Sequence, residues 1–177
     1  MDDGRKVWTT VGSAGTLDQT DLAKVHLFQS IVQLGTDLGG PLDPGAQGAG
    51  ATPNVDLPTS QAIVRYNITP VEGLFFIETP FKYQIRIRYR GRVAAKLMQV
   101  NIESGAETQL ILFDSSKFPS TDNLQVQSAS ATADSPLLDF VNNAYYVEAT
   151  LTASAVALGH PAAISMIKVE ASADFSG

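Results

Sequence analysis

The chain has 177 residues, of which 44% are hydrophobic and only 17% are charged, enough apolar side chains for one domain with its own core. This composition excludes a globally disordered chain. A net charge of −6 disfavours bulk binding to nucleic acid or anionic membranes. The absence of cysteine excludes disulfides, thiolate catalysis and cysteine-ligated metals.

The N-terminal third carries weaker signals than the rest. Residues 7–11 and 25–34 are rich in β-formers and are predicted strands, with a helical turn or two in 16–24. Residues 36–60 are rich in Gly, Pro, Ala and Asp and lack apolar periodicity, so they are predicted to form a long loop. The sequence contains no internal repeat and no sign of a second domain, which indicates a single domain over 1–177.

Strict alternation of apolar and polar residues dominates from residue 61 onward. It runs through 61–69 and is cleanest in 82–90. In that second segment Tyr83, Ile85, Ile87 and Tyr89 alternate with Lys82, Gln84, Arg86, Arg88 and Arg90. A period of two with one polar face is typical of a half-buried strand in an antiparallel sheet.

Two hairpins are predicted further on. One joins 93–103 to 107–114 through the turn 104–106, and the other joins 145–152 to 164–170 through 159–161. With a short strand at 74–77, about eight or nine strands and no long helix are predicted. This pattern favours an all-β antiparallel sandwich of the jelly-roll type.

The basic strand is the sharpest local feature. Arg86, Arg88 and Arg90 share one face, and a row of guanidinium groups suits sulfate, phosphate or carboxylate ligands. Two alternatives stand beside an anion site. The arginines pair across the sheet with glutamates, or they meet acidic loops of a neighbouring subunit. The glutamates considered for such pairs are Glu103, Glu107, Glu148 and Glu170.

Tyr146 and Glu148 suggest a second kind of site. Both fall on the polar face of their strand, beside Thr150, where they would make a modest glycan-binding platform. A glycosidase would need two carboxylates in one groove, and the glutamates are equally explained as partners of the arginines. Neither histidine, His26 or His160, has a nucleophile motif or a second histidine at metal-ligand spacing.

Aspartates concentrate between the predicted strands. A structural Ca²⁺ near Asp114 and Asp122 is one hypothesis, because calcium prefers hard oxygen ligands from loops. No spacing matches an EF-hand, and aspartate is also a common turn residue through bonds to nearby backbone.

The sequence therefore predicts a non-enzymatic structural or interaction protein that self-assembles as a homo-oligomer. The loop 36–60 would strap a neighbour. The alternative is a carbohydrate-binding module, and the third hypothesis is a β-sandwich glycoside hydrolase or lyase. The composition is similar to that of uncharacterised bacterial β-domains. The sequence matches no named family residue by residue. No signal peptide or membrane span is evident, so we expect a cytoplasmic protein or export by an unseen route.

Overall fold

The computed structural model describes residues 6–17, 24–28, 30–34, 61–70, 82–119, 123–131, 138–153 and 161–172. The predicted loop 36–60, the predicted strand 74–77 and the turn residues Gly159 and His160 lie outside these ranges.

The described residues form eleven strands and two short 3-10 turns. The turns are Gly12–Ala14 and Ser115–Lys117. The strands are β1 (Lys6–Val11), β2 (Thr16–Leu17), β3 (Val25–Phe28), β4 (Ile31–Leu34), β5 (Gln61–Ile68), β6 (Lys82–Arg90), β7 (Arg92–Asn101), β8 (Glu107–Asp114), β9 (Gln125–Ser130), β10 (Asn143–Thr152) and β11 (Ala163–Ser172).

The strands form two antiparallel sheets. Sheet A has the order β3-β4-β11-β6-β9, with β1 also paired to β11, and sheet B has the order β2-β5-β10-β7-β8. From β4 onward the pairs are nested: β4 with β11, β5 with β10, β6 with β9, and β7 with β8. Nested pairs that alternate between two sheets are the connectivity of a jelly roll. The predicted fold class is confirmed.

The core lies between the two sheets and is made by the alternation seen in the sequence. Tyr83, Ile85, Ile87 and Tyr89 of β6 are each at most 1% exposed, and Val64, Val147 and Phe113 are buried opposite them from sheet B. Removing these apolar surfaces from water is the main favourable term in folding.

The chain passes from sheet A to sheet B between β6 and β7 through one residue, Gly91. Its φ is +69°, a left-handed conformation that costs glycine little, and a Cβ at this position would lie 2.9 Å from the Cα of Ala162. This corner places Arg90 and Arg92, only two residues apart, on different sheets.

The predicted hairpin between β10 and β11 is wrong. β10 pairs with β5 and β7 in sheet B, whereas β11 pairs with β1, β4 and β6 in sheet A. The connection therefore crosses from one sheet to the other. Period-two patterning reports which face of a strand is buried, and it carries no information about the neighbouring strand.

Two further strand predictions needed correction. Residues 25–34, predicted as one strand, are two strands, β3 and β4, which pair with each other. β9 was missed because its sequence, Gln-Val-Gln-Ser-Ala-Ser, has only two apolar residues in six and is partly exposed at the edge of sheet A.

Buried tyrosines connect the core to the loops at its ends. The hydroxyl of Tyr66 donates to the Gly12 carbonyl (2.8 Å), and that of Tyr145 accepts from the Asp139 N–H (2.8 Å). Tyr83 accepts from the Leu138 N–H at 3.1 Å. Burial raises the pKa of these three hydroxyls above its ordinary value, so they stay neutral. The segment that begins at Leu138 is thus held by two tyrosines.

We expect Tyr145→Phe to lower the free energy of unfolding by about 1 kcal/mol, because the partly buried Asp139 N–H loses its acceptor. Urea unfolding measures the change. Tyr146→Phe is the matched control: its hydroxyl lies on the outer face of the same strand and should matter less. Equal effects of the two variants would contradict an anchoring role for Tyr145.

Candidate functional site

The structure divides the five predicted binding residues between opposite faces of the sandwich. Arg86, Arg88 and Arg90 point outward from β6 of sheet A, and Tyr146 and Glu148 point outward from β10 of sheet B. We call the outer surface of sheet A around the three arginines the arginine face. The outer surface of sheet B around Tyr146 and Glu148 is the glutamate face. The core separates the two, so they cannot form one site.

On the glutamate face, Glu148 lies between two cations. Strand register places Arg65 on one side of it and Lys96 on the other. Glu148 Oε2 is 3.0 Å from Arg65 Nη2, and Oε1 is 4.0 Å from Lys96 Nζ. The Glu148 side chain is 16% exposed, against 52% for Arg65 and 43% for Lys96. Each charge of this row therefore has an opposite charge beside it.

Tyr146 is the aromatic residue of the glutamate face. Its hydroxyl donates to Glu107 Oε1 at 3.3 Å, so the ring extends from β10 across β7 to β8. Partial burial, and then the negative charge of Glu107, raise the pKa of Tyr146. The glycan platform at Tyr146 and Glu148, and a catalytic pair of carboxylates, stay predictions.

The arginine face is held differently. Arg90 donates from Nη2 to Gln33 Oε1 (2.6 Å) and from Nε to the Pro161 carbonyl (3.2 Å). Arg86 donates from Nε to Ser128 Oγ at 3.3 Å. All three acceptors are neutral, so they orient the guanidinium groups and leave their positive charge in place.

Arg88 lies between these two arginines and is exposed. Its register partners are Met166 on β11 and Val126 on β9, and the Val126 side chain is 46% exposed. The central guanidinium therefore stands between two apolar neighbours.

The alternative of an arginine–glutamate ladder is not what the described residues show. Among them, no carboxylate lies within 4 Å of the Arg86, Arg88 or Arg90 guanidinium. The reason is topological: Glu107 and Glu148 belong to sheet B, on the far side of the core.

Glu170, on sheet A, is already paired. Its side chain is 3% exposed, and Oε1 contacts the ammonium group of Lys168. Lys168 is in turn the register partner of Arg86. Of the described charged side chains on the arginine face, four are basic and one is acidic: Arg86, Arg88, Arg90, Lys168 and Glu170. The described part of this face is therefore positive, although the whole chain is acidic.

The predicted calcium site is only partly described, because Asp122 lies outside the described residues. Asp114 Oδ1 accepts from the Ser116 N–H at 2.8 Å and is 3.9 Å from Arg92 Nη2. Across the described ranges no three His, Cys, Asp or Glu side chains come together as metal ligands. Calcium near Asp114 stays a prediction, while the turn-forming role of aspartate is confirmed at this position.

Several residues of these faces were missed by sequence reasoning. Lys96 and Arg65 are outward-facing in their own strands, but only the order β5-β10-β7 brings both to Glu148. Ser128 was not predicted as a site residue, because β9 was not predicted as a strand. Knowing the register between β6 and β9 would have been needed to place it beside Arg86.

Asp114 should make the free energy of unfolding depend on pH in the acidic range. The Ser116 N–H, and to a lesser degree Arg92, hold the pKa of Asp114 below its usual value. A carboxyl group with a lowered folded pKa stabilises the protein above about pH 4, and this stabilisation is lost as pH falls through the folded pKa. Asp114→Asn should therefore lower stability at pH 6, and the difference from the parent protein should shrink towards pH 2.

Urea unfolding between pH 2 and pH 7 checks this dependence. Arg92→Gln is the control, and it should reproduce only a small part of the effect, because the Ser116 hydrogen bond is the larger cause. If Arg92→Gln reproduces all of it, the ion pair and not the hydrogen bond governs Asp114.

No protein-family model matches the chain, and no curated protein matches it by sequence. Among solved structures, it is similar to a cyclase from Fischerella sp. TAU. That match has 9% identity and a TM-score of 0.42, and it covers 97% of this chain and 76% of the other. A second match is to the virus-like particle of the extra small virus of the prawn Macrobrachium rosenbergii. It has 10% identity and a TM-score of 0.13, and covers 70% of this chain and 86% of the other. At these TM-scores neither match assigns an activity to this chain.

The prediction of a non-enzymatic, self-assembling structural or interaction protein is corrected here. The described residues carry no observation in favour of a non-enzymatic role, and the match to a chain named as a cyclase, at a TM-score of 0.42, gives none either. The absence of a catalytic motif was no basis for a non-enzymatic role, because catalytic groups on a β-sandwich can come from separate strands and need no local motif. In the described part of the chain, the structure contains no helix long and apolar enough to cross a membrane.

Proposed function

We propose that the arginine face binds anionic ligands that carry carboxylate, sulfate or phosphate groups. The observation that carries the proposal is Arg88, exposed at the centre of the face and without a carboxylate partner among the described residues. The cations of the glutamate face contrast with it, since Arg65 and Lys96 both lie beside Glu148.

The chemistry of the face supports this function. A guanidinium group offers several N–H donors in a planar fork that matches the oxygens of an oxyanion. Arg86 and Arg90 are oriented by a hydroxyl, an amide and a carbonyl, so part of the entropy of ordering their side chains is already lost before a ligand arrives.

The acidic balance of the chain does not oppose this proposal. Charges on a protein surface are screened beyond a Debye length of about 8 Å at physiological ionic strength. A ligand at Arg88 therefore meets chiefly the local charges of sheet A, which are mostly positive. The same argument makes the affinity dependent on salt.

The test is binding of fluorescently labelled dextran sulfate, measured by anisotropy at low and at physiological salt. Arg86→Gln/Arg88→Gln should weaken binding by about tenfold or more, since each lost charge-assisted hydrogen bond contributes about 1.5–3 kcal/mol. Added NaCl should weaken binding to the unaltered protein.

Arg92→Gln is the control, because it removes a guanidinium charge from an exposed residue of sheet B. It should leave the affinity nearly unchanged. Equal losses from Arg92→Gln and from the double variant would contradict a site on the arginine face, as would the absence of any binding.

A further inference from the structure

We propose that the anionic ligand is an extended peptide with acidic residues at alternate positions, which adds to sheet A as a further strand along β9. This inference rests on the proposed function of the arginine face and names the chemistry of its partner.

β9 is the terminal strand of sheet A, and in the described part of the chain no strand pairs with its outer edge. The Ala131 N–H donates to the Tyr83 carbonyl at 2.9 Å. Because antiparallel pairs alternate, the main-chain groups of Ala129 and Gln127 also face β6. Those of Val126, Ser128 and Ser130 face the free edge. An exposed edge of this kind is a template for an incoming strand.

The arginines are placed to meet the side chains of such a strand. Ser128 and Val126 are the register partners of Arg86 and Arg88, and Arg86 already leans over β9 to reach Ser128 Oγ. A peptide residue opposite Ser128 would point to the same outer face, beside Arg86, and one opposite Val126 would lie beside Arg88. Alternate residues of any strand are about 6.6 Å apart, so carboxylates at positions i and i+2 match the two arginines.

The intervening peptide residues would point the other way, into a groove between β8 and β9. The groove has a volume of about 470 Å³. Leu110, Phe118 and Ala129 line it and also pack against the core, while Asp114 and Lys117 line it with charged groups. An apolar side chain therefore suits the intervening position opposite Ala129. The favoured partner alternates acidic and apolar residues.

The free edge favours a peptide over other polyanions. Its unpaired N–H and C=O groups are complementary to a polypeptide backbone, whereas a sulfated glycan has no main chain to pair with them. The net charge of −6 adds repulsion against a long nucleic acid.

The test compares four labelled hexapeptides by fluorescence anisotropy with the full chain. They are Glu-Val-Glu-Val-Glu-Val, the block isomer Glu-Glu-Glu-Val-Val-Val, and the alternating peptide N-methylated either at its glutamates or at its valines. The alternating peptide should bind about tenfold or more tightly than the block isomer, which has the same charge. N-methylation of the glutamate amides, which would face β9, should abolish this advantage. N-methylation of the valine amides should preserve it.

A variant of the protein gives a second measurement. Ser130→Pro removes an N–H that faces the free edge and takes no part in the ladder with β6, so proline is tolerable there. It should weaken binding of the alternating peptide by about tenfold and leave dextran sulfate binding unchanged, with Ser130→Ala as control. Arg86→Gln/Arg88→Gln should weaken the binding of both the alternating peptide and dextran sulfate.

The outcomes separate the two proposals. If alternating and block peptides bind equally, or if glutamate N-methylation has no effect, strand addition is wrong although the arginine face still binds anions. If the protein forms a dimer in solution that the alternating peptide cannot dissociate, the edge belongs to a second copy of the chain and the inference is overturned. Tighter binding of an oligonucleotide would overturn it too. If dextran sulfate also fails to bind, the proposed function itself fails.

Discussion

Burial of alternate side chains between two sheets is the constraint on which the rest of this structure depends. In β6 it places Ile85 and Ile87 in the core and leaves Arg86 and Arg88 no place but the outer surface. A slip of one residue would bury the guanidinium groups without partners, at a cost far larger than the net stability of a domain. The position of the arginine face is therefore a by-product of the packing that holds the protein together.

The jelly-roll connectivity decides how charges are shared. From β4 onward, successive strands alternate between the sheets except for the pair β7 and β8, so residues that are near in sequence can lie on opposite sides of the core, as Arg90 and Arg92 do across Gly91. Sheet B receives the carboxylates Glu107 and Glu148 together with cations that neutralise them. Sheet A receives a row of arginines with neutral hydrogen-bond acceptors. One face is electrostatically balanced, and the other keeps a positive charge within an acidic protein.

The edge strands of the two sheets lie next to each other on one side of the sandwich. β8 and β9 end their sheets side by side, and the groove between them, which is lined in part by apolar side chains, adjoins a free strand edge. This edge lies next to Arg86 and Arg88 through the register of β6 and β9. Free main-chain hydrogen-bonding groups, apolar side chains and positive charge thus lie along one strip of the surface. For this reason we propose a peptide of alternating acidic and apolar residues as the partner.

The sequence by itself determined the class of the fold, the faces of its strongly periodic strands and the clustering of Arg86, Arg88 and Arg90. These are local properties, because a period of two and the chemistry of a residue are visible without knowing its neighbours in space. Only the tertiary structure decided that β10 and β11 belong to different sheets, that Glu148 faces Arg65 and Lys96, and that β9 exists at the edge of sheet A. Strand order and register come from the joint packing of the whole core, and no single segment of the chain encodes them.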